Sequence, residues 1–64
     1  MTARLPDPMS AFLAHARLIA FQSADHGTWG LYERLKRMLH EQFPGISSRE
    51  YERVTLRLQR IAGV

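Results

Sequence analysis

Apolar residues recur every three or four positions in three segments of the chain, which is the period of an amphipathic helix. The three segments span approximately residues 8–23, 29–43 and 48–62. No stretch alternates apolar and polar residues as a half-buried strand does. The pattern therefore predicts an all-α fold, a compact three-helix domain. We expect residues 1–64 to form this single domain, with residues 1–6 as a flexible lead-in.

Residues at the segment ends favour the same boundaries. Asp7 precedes a proline, and a side-chain acceptor followed by a residue without an N–H is a favourable helix start. Thr28 can cap the second helix, which must end before Pro44 because the residue preceding a proline avoids helical geometry. Ser47 can cap the third helix, and Gly63 suits the position after its end.

Each predicted helix has one apolar stripe that should face the core. The stripes contain Met9, Phe12, Leu13, Ala16, Ile19 and Ala20 in the first helix, Leu31, Leu35, Met38, Leu39 and Phe43 in the second, and Tyr51, Val54, Leu58 and Ile61 in the third. Tyr32 lies at the margin of its stripe. On the polar face of the second helix, four-residue spacing predicts the ion pairs Glu33–Arg37 and Arg37–Glu41.

The first helix carries a second apolar stripe, roughly opposite the first. It consists of Ala11, Ala14, Leu18 and Phe21, and we call it the α1 stripe. A helix that is apolar on most of its circumference is buried on most of it. So short a chain has little material to cover both faces, which favours self-association or contact with another protein through this stripe. Alternatively, the other two helices straddle the first and cover both sides.

The third helix has a basic face beside its core stripe. At about 100° per residue, four arginines fall in one sector, and a leucine projects beside them. This arginine ridge consists of Arg49, Arg53, Leu56, Arg57 and Arg60. It could hold an acidic protein surface with Leu56 as an apolar anchor, contact nucleic acid, or form only a solvated face that nearby glutamates partly neutralise.

The second and third segments have the order of a helix-turn-helix motif, with Gly45 in the turn and a basic helix after it. The segment GISSREYERV resembles the turn and recognition-helix start of helix-turn-helix repressors. The resemblance implies DNA binding, with residues 47–49 near base edges. Pro44 lengthens or stiffens the turn, and Glu50 and Glu52 would bring carboxylates near phosphates, so the protein-interaction interpretation stays ahead of this alternative.

Composition shifts the expectation towards an assembly. A chain of 64 residues has a thin core, and the absence of cysteine removes disulfides and thiolate metal sites. Eight arginines and one lysine against six acidic residues give a net charge of +3, which permits nucleic acid without requiring it. We therefore expect a small helical interaction or regulatory module, with a homo-oligomer or a protein partner and with nucleic acid as the alternative partner.

The chain offers little for catalysis. His15, His26 and His40 are 11 and 14 positions apart, so no two of them share one helical face as a metal pair would. No phosphate-binding loop or nucleophile motif is present, and we expect no enzymatic activity, no cofactor, no metal and no small-molecule substrate. The start MTARLPDP does not match a secretory signal, and no apolar run is long enough to span a membrane. The sequence predicts a cytoplasmic protein.

Overall fold

Three α-helices make up the fold in the computed structural model, which describes residues 7–64. Helix α1 spans Pro8–Gln22, α2 spans Trp29–Gln42 and α3 spans Ser48–Ala62. These bounds agree with the predicted ones to within one residue, and the predicted all-α three-helix fold is confirmed. The predicted lead-in at residues 1–6 lies outside the described residues. Over residues 7–64, no helix combines the length and the apolar character needed to cross a bilayer.

The helix ends lie where the capping residues place them. Asp7 Oδ1 accepts a hydrogen bond from the Ser10 N–H at 2.9 Å, and the hydroxyls of Thr28 and Ser47 each accept an N–H three residues onward at 3.2 Å. These bonds satisfy amide groups that have no partner inside a helix. At the end of α3, Gly63 adopts a left-handed conformation with φ of 83°, and its N–H donates to carbonyls of the last turn.

Contacts at the helix ends fix the topology. The ring of Phe43, just after α2, packs edge-to-face on Phe12 near the start of α1, with centroids 5.8 Å apart. The start of α2 lies at the end of α3, where the Gly27 N–H donates to the Ala62 carbonyl. Helix α2 is therefore antiparallel to both neighbours. Helices α1 and α3 run parallel, pack on each other and end at the same end of the molecule.

The buried core consists of nine residues of the predicted stripes with two additions, Tyr32 and Ala62. Its buried residues are Phe12, Leu13, Ala16, Ala20, Leu31, Tyr32, Leu35, Leu39, Val54, Leu58 and Ala62. The other stripe residues are only partly buried and pack against this core: Met9, Ile19, Met38, Phe43, Tyr51 and Ile61. Tyr32, expected at the margin, is buried because the indole of Trp29 and the ammonium of Lys36 lie over its ring, at 4.9 and 5.1 Å from its centroid. Ala62 is buried because the loop before α2 folds back onto the end of α3.

The predicted ion pairs on α2 are wrong. Within residues 7–64, the ion pairs closer than 4.0 Å are Glu33–Lys36 and Glu50–Arg53, each at 3.8 Å. Lys36 extends across the Tyr32 ring, which brings its ammonium near Glu33. Arg37 is left exposed without a carboxylate partner among the described residues.

Candidate functional site

The structure leaves the whole α1 stripe exposed. Leu18 has 51% and Phe21 has 88% of its surface accessible, and the two alanines of the stripe are exposed as well. Both other helices pack on the opposite face of α1, around Phe12 and Ala16. The alternative in which α2 and α3 cover both sides of α1 is therefore wrong for residues 7–64. An apolar strip of this kind on a small protein is typical of an interaction surface.

The arginine ridge also faces outward. Its four arginines are exposed, and Leu56 between them has 62% of its surface accessible. Arg53 pairs with Glu50 at 3.8 Å, but both side chains are largely solvated, so this pair contributes little to stability. The ridge is available to a partner and is not needed to build the core.

Two of the four arginines of the ridge line a cleft between α1 and α3. Arg57 and Arg60 lie opposite Arg17 of α1, and His26 from the loop before α2 closes the end. The remaining lining residues are Ala20, Phe21 and Ile61, and the volume is about 520 Å³. We call this site the basic cleft. It joins the two predicted surfaces, since Phe21 belongs to the α1 stripe and the arginines of α3 belong to the ridge.

Among the residues that the structure describes, no carboxylate side chain lines the basic cleft. Within residues 7–64, Arg17, Arg57 and Arg60 have no ion-pair partner within 4.0 Å. The other end of the same α1–α3 groove is different, because Asp7 and Glu50 line it beside Arg53. Arg57 lies between the two ends and lines both. The groove therefore changes from mixed charge at the helix starts to purely basic at the helix ends.

Sequence reasoning did not include Arg17 and His26 in this site. Arg17 interrupts the apolar pattern of α1 at the boundary between its two stripes, and that position alone does not show what lies opposite. Arg17 and Arg57 are 40 positions apart in the sequence, and only the parallel packing of α1 on α3 brings them to one cleft. A cation at the edge of a core stripe is the one signal that could have suggested it.

The three histidines lie on different elements, with His15 on α1, His26 in the loop before α2 and His40 on α2. The Nε2 of His40 lies 3.2 Å from the hydroxyl of Tyr51, and the two rings stack at a tilt with centroids 4.9 Å apart. His40 thus joins the end of α2 to the start of α3. Among residues 7–64, no group of three potential metal ligands comes together.

At the start of α1, the carboxylate of Asp7 accepts hydrogen bonds from Ser10. These hydrogen bonds lower the pKa of Asp7 below its ordinary value of 3.8. The backbone N–H of Ser10 has the largest effect, and its hydroxyl has the next largest. Hydrogen bonds to the charged form stabilise the carboxylate. Because its pKa is lowered, Asp7 keeps its negative charge at this end of the groove to a lower pH than an ordinary aspartate does.

The helix-turn-helix resemblance concerns α2, α3 and the turn between them. Residues 43–47 connect the two helices, which is longer than the three or four residues that usually join such a pair. Pro44 and Gly45 are exposed in this turn, while Ile46 is partly buried. The order of the motif is present, with a longer turn.

Comparison with protein-family models, with curated proteins and with solved structures finds no match to this chain. The exposed surfaces of the protein and their chemistry are therefore the features that indicate its function.

Proposed function

We propose that this chain is a cytoplasmic, non-enzymatic interaction module that self-associates through the α1 stripe. The observation that carries the proposal is the exposure of Leu18 and Phe21 on a helix whose opposite face already forms the core. Burial of apolar side chains of this size contributes about 1.5–3 kcal/mol each when it is complete. A thin-cored chain without disulfides gains most from such burial between copies.

The spacing of the α1 stripe suits a helix-to-helix contact. Its four residues follow one another at steps of three, four and three, which is the spacing of a and d positions in a coiled coil. Ala11 and Ala14 are small enough for a second helix to approach closely, and Leu18 and Phe21 supply side chains that can pack into it. Two copies could then align their α1 helices over two heptads.

The experiment that tests the proposal is light scattering of the purified chain at micromolar concentration, beside an Ala14→Glu/Leu18→Glu variant. We expect a dimer or larger species for the natural chain and a monomer for the variant. Helical circular dichroism should be unchanged, because both positions are exposed in the isolated chain.

A matched control adds the same two carboxylates at exposed positions outside α1, as Gln42→Glu/Ser48→Glu. This control should retain the assembly. A monomeric natural chain, or dispersal of the control as well, would contradict self-association through the α1 stripe. Loss of helicity in the α1 variant would instead place the stripe in the core.

A second candidate function is that of a helix-turn-helix DNA-binding regulator. It is supported by the exposure of Arg49, Arg53, Arg57 and Arg60 along one face of the helix that follows the turn. A dimer formed through α1 would present two such helices, as proteins of this class do on two half-sites. The longer turn and the carboxylates of Glu50 and Glu52 rank this function below protein interaction.

A further inference from the structure

The basic cleft has the properties of a ligand site that is separate from the α1 stripe except at Phe21. Three arginines, Arg17, Arg57 and Arg60, line one cleft, to which residues 7–64 contribute no carboxylate side chain. Elsewhere on α3, Arg53 has a glutamate at 3.8 Å. A cluster of cations without counter-charge repels itself, and an anionic ligand removes that repulsion.

The cleft also has an apolar side. Ala20 is buried at its base, Ile61 is half-buried, and the ring of Phe21 stands exposed as one wall. A ligand that fits must therefore combine negative charge with apolar groups. Arginine favours planar carboxylates, to which it can donate two parallel hydrogen bonds.

We propose that the basic cleft binds an acidic segment of a partner protein, in which carboxylates contact the three arginines and an apolar side chain packs on Phe21. The inference rests on the proposed function in one respect, that the chain acts by binding protein. Its site shares Phe21 with the α1 stripe, but the three arginines lie outside that stripe.

The charge gradient along the groove favours a protein segment over a nucleic-acid strand. A strand that followed the groove from Arg60 towards the helix starts would bring phosphates next to Asp7 and Glu50. A protein segment can place its acidic residues at the basic end and neutral or basic residues at the other. The gradient thus also sets a direction for the bound segment.

The test uses a short fluorescein-labelled peptide of glutamate and leucine residues, with fluorescence anisotropy as the readout. A peptide in which every glutamate becomes glutamine is the ligand control. The site variant is Arg17→Gln/Arg57→Gln, and the matched protein control, Arg34→Gln/Arg37→Gln, removes the same charge from exposed positions of α2 that lie outside both the cleft and the ridge.

We expect the natural chain and the control variant to bind the acidic peptide, and the site variant to bind it at least about tenfold more weakly, since charge-assisted bonds are lost. Equal weakening in both variants, equal binding of the glutamine peptide, or no binding by the natural chain would overturn the proposal. So would tighter binding of random-sequence duplex DNA that depends on Arg17 and Arg57.

Two further measurements keep the result interpretable. Arg60→Glu reverses a charge in the same cleft and should abolish peptide binding, which provides a second variant if the double variant does not fold. The peptide is also titrated into Ala14→Glu/Leu18→Glu. Loss of assembly with retained peptide binding is the result expected if both proposals hold. Retained assembly with retained binding contradicts only self-association through the α1 stripe, whereas loss of assembly together with loss of peptide binding contradicts only the proposed peptide site.

Discussion

The N–H of Gly27 donates to the carbonyl of Ala62 at a distance of 2.6 Å. This bond ties the loop between α1 and α2 to the last turn of α3, across 35 positions of the sequence. The loop is held against Gly63, whose missing side chain leaves room for it. His26 is thereby placed at the closed end of the basic cleft, so a structural contact also shapes the candidate site.

The glycines at this contact should respond differently to alanine. A Cβ on Gly63 would lie 2.9 Å from the His26 ring and 3.2 Å from the Gly27 Cα, whereas a Cβ on Gly27 meets nothing within 4 Å. Both have positive φ, which costs about 1–2 kcal/mol for a residue with a side chain. We expect Gly63→Ala to lower the free energy of unfolding more than Gly27→Ala, as measured by urea denaturation.

The control for this pair is Gly45→Ala, because Gly45 has open space around it and no positive φ. Gly45→Ala should leave the free energy of unfolding unchanged or raise it by up to about 1 kcal/mol, because alanine lowers the conformational entropy of the unfolded chain. Equal losses for Gly27→Ala and Gly63→Ala would show that the close approach between the loop and α3 is absent in solution.

Two leucines on α3 separate the core from the ridge. Leu58 is fully buried, while Leu56 has 62% of its surface exposed. We expect Leu58→Ala to cost about 2–5 kcal/mol, enough to unfold most of so small a domain. Leu56→Ala should change stability by less than about 0.5 kcal/mol. Thermal denaturation followed by circular dichroism compares the two, and similar melting temperatures would be inconsistent with the packing of α3 described above.

Acid should weaken the start of α1. The pKa of Asp7 is lower in the folded chain than its ordinary value of 3.8, because Ser10 donates to the carboxylate. The stabilisation is therefore complete above the unfolded pKa and is lost as pH falls through the folded pKa. We expect Asp7→Asn, which keeps a capping acceptor, to reduce the drop in melting temperature as the pH is lowered from above 3.8 into acid.

Asp25→Asn is the control for this titration. Among residues 7–64, the Asp25 carboxylate accepts no hydrogen bond, although its backbone carbonyl does. Its replacement removes a carboxylate that accepts no hydrogen bond from these residues, so it provides the comparison for Asp7→Asn. If Asp7→Asn and Asp25→Asn give the same acid profile, the Ser10 bonds do not act on stability.

Duplex DNA provides the test between the two candidate functions. If protein interaction is the function, random-sequence DNA should bind only at low salt and should dissociate at about 0.15 M salt. Micromolar DNA binding that persists at that salt would favour the helix-turn-helix function. In that case Arg49→Gln/Arg53→Gln should reduce the slope of the logarithm of the binding constant against the logarithm of salt concentration, and Arg37→Gln should not. Fluorescence anisotropy of labelled DNA over a salt series measures both quantities.

Helix positions and core stripes could be predicted from the sequence because their causes are local. Asp7, Thr28 and Ser47 accept N–H groups three residues onward, and Pro44 acts on the residue before it. The stripe of Leu31, Leu35 and Leu39 repeats with the helical period. The ion pair of Glu33 was mispredicted because its partner depends on where the Lys36 chain lies over Tyr32.

The sequence by itself determined three helices, their ends, their inward faces and the existence of an apolar stripe and an arginine ridge, since each follows from residues within a few turns of one another. Only the tertiary structure decided that α2 and α3 pack on one side of α1, which leaves Leu18 and Phe21 exposed. The same packing brings Arg17 to Arg57 and Arg60. Such contacts depend on the direction and register in which helices pack, and helical periodicity carries no information about either.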